Sequence, residues 1–261
     1  MRNLYAIYRK EMRHYFVSPV AYVCIGLFLF ISAVFFDFFL RVIIQQSFQM
    51  EMQSMQFGMP PQIDVPGQVL RAFLGLLATL ILFITPFLTM GVFAEERKRG
   101  TMELLMTSPI SEIQIVLGKF LASLSLFAVM LLPTAGYAAY VYLHSEPLPP
   151  WRLLLSGYAG IMLLGGSLLA LGTFISSLTE NQLIAAVLTF VAFLLLWVVD
   201  LGHTADSGVG SVLQYLSASH HYDDFARGTI DTSGLVYYFS FIILFVFLTV
   251  RSIDSMRWRR A

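Results

Sequence analysis

The sequence predicts an all-α integral membrane protein of six transmembrane helices, and three observations carry that prediction. Hydrophobic residues make up 57% of the 261 residues and charged ones 12%, with a mean hydropathy of +0.75, outside the range of water-soluble domains. The apolar residues gather into six continuous runs, each close to the roughly 20 residues a helix needs to cross a hydrocarbon core of about 30 Å. None of the runs alternates apolar with polar, so the spanning backbone must satisfy its hydrogen bonds within helices rather than in a closed barrel.

The runs cover residues 20–44, 69–93, 115–142, 153–178, 183–199 and 235–250. The fifth is near the lower length limit, and the third is long enough to tilt. Ahead of the first, Leu4, Ile7, Tyr8, Met12 and Tyr15 recur at helical spacing among Arg2, Arg9, Lys10 and Arg13. That pattern reads as an interfacial amphipathic helix over residues 1–17, or as a basic segment that serves only topology. The first run ends in Asp37 and Arg41 without a small-residue cleavage site, so it reads as a span rather than a signal peptide. Residues 45–68, rich in Gln and Met with three prolines, predict a partly helical external hairpin.

Lys and Arg are retained on the cytoplasmic side of a membrane. With six spans, Arg2, Arg9, Lys10, Arg13, Arg97, Lys98, Arg99, Lys119, Arg251, Arg257, Arg259 and Arg260 share one side, against Arg41, Arg71, Arg152 and Arg227 on the other. Both termini are therefore expected in the cytoplasm. The division expected is a helix over 1–17, a six-helix transmembrane domain over 18–251 and a short basic tail over 252–261. Sixteen basic residues balance sixteen acidic ones, which gives no argument for nucleic acid. The single Cys24 gives no disulfide or thiol chemistry.

The most informative segment follows the second span and reads EERKRGTMELLMTSPIS. Five successive charges stop the span, Gly100 permits a turn, and Thr101 is a candidate cap for a new helix. Glu103 complements that helix's first turn, and Pro109 ends it. Ser111 with Gln114 has the spacing of a capping box opening the third span. A short amphipathic helix over about 95–109 then presents Leu104, Leu105 and Met106 to a protein partner or to the membrane surface.

Other candidates are weaker. His220, His221, Asp223 and Asp224, in the external segment of about 201–234, offer metal-ligand chemistry, or simply a short interfacial helix. Asp37 with Arg41 has i, i+4 spacing, Asp200 closes the fifth span, and Glu180 with Thr179 occupies a short internal turn. Gly157, Gly160, Gly165, Gly166 and Gly172 predict that the fourth helix is buried, because small residues permit close approach. Pro86 and Pro133 are candidate kinks. A membrane-embedded enzyme built on the external His and Asp residues is the competing functional class, and a mechanical scaffold that moves no solute is a second.

The EERKRGTMELLMTSP stretch resembles the signature of ABC-2 type permeases, approximately E-E-R-x-x-G-T-x-E-L-L-x-x-x-P after the second span. The stretch from His221 through Phe225, Gly228 and Asp231 to LVYYFSF is similar to the subgroup of gliding-motility and nitrous-oxide-maturation permeases, and His221, Asp224, Phe225 and Gly228 are the candidate residues of an external functional segment. The resemblance implies a type V exporter-like assembly in a bacterial inner membrane, with two permease subunits, alike or related, on two cytoplasmic ABC ATPase subunits. An accessory subunit with an external domain is common around that subgroup. By the same resemblance Glu95, Glu96, Arg97, Gly100, Thr101, Glu103, Leu104, Leu105 and Pro109 form the ATPase-coupling segment. Tyr8, Lys10 and Glu11 lie on a connecting helix near the ATPase. The chain has no G-x-x-x-x-G-K-[ST], so ATP and Mg are expected on the partner, with no cofactor, metal or catalytic residue in this chain.

Overall fold

A computed structural model describes residues 2–57, 64–102, 110–146, 148–198 and 217–258. Every regular element among them is helical. Helix α1 spans Arg2–Val17 and α2 runs through 39 residues, Pro19–Phe57. Next come α3, Val65–Thr89, and the short α4, Ala94–Lys98. Helix α5 covers Glu112–Leu131, and a 3-10 turn at Leu132–Thr134 joins it to α6, Ala135–His144. The remaining elements are α7, Trp151–Leu178, α8, Gln182–Val198, α9, Ala218–Ala226, and α10, Thr232–Trp258. Among the described residues five stretches are long and apolar enough to cross a membrane, and Gln182–Trp197 is a shorter apolar helix. The all-helical, multi-pass prediction therefore holds, with α8 only about 25 Å long at 1.5 Å per residue.

Several boundaries differ from expectation for local reasons. Helix α2 continues to Phe57, into the segment expected as a partly helical hairpin; Gln and Met are good helix formers and nothing before Phe57 breaks the run. Asp64 then caps α3, its carboxylate accepting from the Gly67 amide at 3.0 Å, with Pro66 tolerated in the first turn. Pro133 interrupts the third span with a 3-10 turn, because it has no N–H and its ring crowds the preceding turn. Helix α3, by contrast, passes through Pro86 unbroken. Ser111 does occupy the N-cap of α5, but its side chain makes no capping bond; the backbone amide of Gln114 bonds its carbonyl at 2.9 Å instead. The expected capping box is not formed.

Helix α7 is the centre of the bundle, packing on α3, α5, α8, α9 and α10. In its most apolar window 78% of residues are buried, against 22% in those of α2 and α10. Its glycines explain the difference. A Cβ at Gly157 would sit 2.4 Å from a Leu74 methyl, one at Gly160 2.6 Å from Phe225, one at Gly165 2.3 Å from the Phe127 ring, and one at Gly172 2.3 Å from the Thr89 hydroxyl. Neighbouring side chains occupy the space that β-carbons would take, so α7 accepts them at close range.

Gly165→Ala must displace a rigid ring and is expected to destabilise the bundle by about 1–3 kcal/mol, lowering the thermal unfolding midpoint in detergent. Gly75→Ala, which meets nothing within 4 Å, should be neutral or stabilising by up to about 1 kcal/mol. Equal loss in both variants would refute the close-packing role of the α7 glycines.

Candidate functional site

At one end of the bundle the polypeptide leaves α3 through an elbow at residues 90–93 and enters α4. Two links fasten this elbow to the end of α7. The Ser176 hydroxyl accepts from the amides of Phe93 at 3.1 Å and Ala94 at 3.2 Å, and donates to the Met90 carbonyl at 3.0 Å. Arg97 donates to the Ser177 carbonyl at 2.7 Å and to the Glu180 carboxylate at 3.3 Å in the α7–α8 turn. A small apolar core lies beneath, where Ile7, Val92, Phe93, Met102, Ile115, Val116 and Ile253 meet. It joins α1, the elbow, α5 and the end of α10.

Beside this core sits a buried charge. Lys119 of α5 is 2% exposed. Its ammonium donates to the Val92 carbonyl at 2.8 Å and contacts Glu11 at 3.2 Å and Glu96 at 3.1 Å. It also lies 5.2 Å from the centre of the Phe93 ring. Burying an ion costs several kcal/mol unless partners surround it; here two carboxylates and a carbonyl, from α1, α4 and the elbow, do so. Lys10 extends the network to Glu96 at 3.3 Å, Arg99 reaches Glu95 at 2.5 Å, and His14 stands 3.9 Å from Glu95. The second Glu96 oxygen, Oε2, is buried and makes no hydrogen bond among the described residues. These groups line a cleft of about 460 Å³, with Thr101 and Ile110 on its rim.

Helix α1 reaches this site by crossing α5 at Gly118, where a Cβ would be 2.8 Å from Ile7. Tyr8 donates to Ser125 at 3.1 Å, and Tyr15 shares a 2.9 Å hydrogen bond with Ser123. The apolar side of the amphipathic helix thus docks on the bundle, while Tyr5 and Val17 remain exposed. Partial burial alone would pull the Lys10 ammonium below its ordinary value, but Glu96 and Glu11 outweigh that effect and hold it above 10.5. Burial pushes the Tyr15 phenol above 10.0, against the opposing hydrogen bond with Ser123.

The predicted coupling residues divide accordingly. Glu95, Glu96 and Arg97 lie on α4: Glu96 ties it to Lys119 of α5 and Arg97 to Ser177 of α7, while Glu95 pairs with Arg99 and stands 3.9 Å from His14. Gly100 has φ +69°, the left-handed conformation expected of the turn. Thr101 is already helical, and its hydroxyl donates back to the Glu96 carbonyl at 3.3 Å instead of capping from outside. Glu103, Leu104, Leu105 and Pro109 lie outside the described residues. Tyr8, Lys10 and Glu11 join the same site from α1. Lys119 and Ser176 were missed: the sequence reading counted Lys119 only as a topological charge, although a lysine inside an apolar run is a candidate in its own right.

At the far end of the bundle, α9 is the short helix expected there, but its His and Asp residues diverge. His221 is buried with its ring 4.3 Å from that of Tyr237, whereas His220 and Asp223 are exposed. Tyr222 donates to the Leu74 carbonyl at 2.9 Å, and Phe225 packs on Gly160. The Asp224 carbonyl accepts from Thr229 across a turn in which Gly228 has φ +92°. His221, Asp224, Phe225 and Gly228 therefore fasten the helix to the bundle and shape its exit. Among the described residues no three His, Cys, Asp or Glu side chains converge as a metal site would require.

A family model described as ABC-2 family transporter protein matches residues 5–252. None of the curated proteins matches the chain.

Removing the Lys119 charge with Lys119→Met should strand Glu11 and Glu96 and cost about 3–5 kcal/mol. Adding Glu11→Gln to that variant should cost less than the sum of the two single changes, read from unfolding midpoints in detergent; strict additivity would contradict the shared network. The pH dependence follows from the raised values of Lys10 and Tyr15. Their stabilisation is fully present below 10.0 and is lost as pH rises through the elevated folded values. A fluorophore on α1 at Arg13→Cys, in a Cys24→Ser background, should keep its anisotropy through neutral pH and lose it only above about pH 10. Loosening between pH 6 and 8 would refute this.

Proposed function

The chain belongs to the ABC-2 transporter family, and from that membership we propose that its charged cleft is where a separate ATPase acts on the membrane domain. As a permease subunit of an ABC transporter it is a multi-pass membrane protein. In the proposed assembly it pairs with a second permease subunit, the same or a related chain, on two ATPase subunits that bind ATP and Mg. Both termini face those subunits from the cytoplasmic side of a bacterial inner membrane. The segment 95–109 is the docking element, with α1 lying beside its α4 portion.

The observation that best supports this reading is the double fastening of α4. Through Glu96 it is tied to α5 and α1, and through Arg97 and the Ser176 elbow it is tied to α7 and the α7–α8 turn. A displacement applied to the segment after α4 is thus delivered to several spans at once rather than absorbed in a loop. Packed helices rearrange between discrete arrangements, so closure of the ATPase pair around nucleotide would shift the permease pair between two states. Hydrolysis resides in the partner; this chain carries the force and forms the pathway.

Glu103→Ala with Leu105→Ala should leave the permease folded but reduce ATPase co-purification, or the permease-dependent part of hydrolysis, at least about ten-fold, the scale of losing a few interfacial contacts. Unchanged co-purification and hydrolysis would sink the docking assignment.

A further inference from the structure

On the outer surface of the bundle, α5 and α10 diverge to leave a groove of about 520 Å³. Leu117 and Phe120 form one wall, and Ile243, Val246 and Phe247 the other. Among the described residues that line it, Arg251 is the charged one. Ile113, at the start of α5, also lines the groove, and Arg251 lies where α10 leaves its apolar stretch. The guanidinium is displayed rather than buried: its side chain is 65% exposed, it lies 5.3 Å from the Phe247 ring centre, and its ion pair with Asp254 is a long 3.7 Å.

We propose that this groove holds a phospholipid with an anionic headgroup, its acyl chain along the apolar walls and its phosphate on Arg251. Both walls belong to spans, so the medium that fills the groove is the bilayer, and an apolar slot ending in a cation has the amphipathic order of a lipid. Arg251 presents up to five N–H donors in a planar fork that suits phosphate oxygens, and a long contact to one carboxylate leaves several of them available. The basic residues Arg257, Arg259 and Arg260 follow in sequence against the single acid Asp254, which makes this end attractive to an anionic surface. A zwitterionic lipid satisfies the walls equally well but gains less from Arg251, so the headgroup is where selectivity arises.

The test is native mass spectrometry of the delipidated full chain, titrated with phosphatidylglycerol or phosphatidylcholine of identical acyl chains. Wild type should retain phosphatidylglycerol about five-fold better, the effect of one arginine near an anionic headgroup. Arg251→Gln should remove that preference, and Val246→Trp, which fills the slot, should reduce retention of both lipids. Arg227→Gln, an exposed arginine outside the groove, should change nothing. Equal retention of the two lipids by wild type, or an unaltered preference in Arg251→Gln, overturns the proposal. So does a cross-link between two copies through Ile243→Cys in a Cys24→Ser background, which would place a second copy of the chain in the groove.

Discussion

One buried ammonium organises an entire end of this protein. Lys119 sits in an otherwise apolar stretch of α5, 2% exposed, where an unpartnered charge would be untenable. Its requirement for anions determines what else is present: Glu11 from α1, Glu96 from α4 and the carbonyl of Val92 from the elbow converge on it. Those three groups come from three different segments. The ion cluster therefore does what apolar packing does poorly, which is to select one relative placement of α1, the elbow and α5, since the carboxylates must arrive at hydrogen-bonding distance rather than merely nearby.

The rest of the bundle supplies the rigidity that gives this placement consequence. Helix α7 is held close to its neighbours by glycines, and its end carries Ser176 and Ser177, which grip the elbow and Arg97. Helix α10 joins the same end through Ile253 and through the hydrogen bond between Ser252 and Ser177. The charged cleft and the packed centre are thus mechanically continuous. The opposite end is built differently, with α9 held by tyrosine hydroxyls on backbone carbonyls, Tyr222 to Leu74 and Tyr238 to Ala218. Neutral hydrogen bonds to carbonyls help fix this short helix in place.

The groove between α5 and α10 opens near the same end, on the outer surface of the bundle. Lys119 and Arg251 are both basic, yet one is enclosed by carboxylates and the other displayed at the surface. Charge alone does not distinguish them; the faces of α5 and α10 on which the neighbours pack do.

The chain's own pattern was enough for the broad architecture. Continuous apolar runs of span length, the glycine-rich fourth helix, the turn at Gly100 and the amphipathic start at Leu4, Ile7 and Tyr8 are all expressed in local periodicity, which survives folding because backbone hydrogen bonding in a membrane leaves little choice but helix. Local pattern was a poorer guide to ends: α2 ran on to Phe57, and Ser111 capped α5 through its backbone alone. Which residues meet was beyond it. Nothing in the composition pairs Glu11 with Lys119, 108 residues away, or aims Arg97 at Ser177, and nothing separates buried His221 from exposed His220. Those choices depend on how helices cross and rotate against one another, a matter of side-chain volume at close contacts such as Gly118 against Ile7, and that information exists only once the helices have packed.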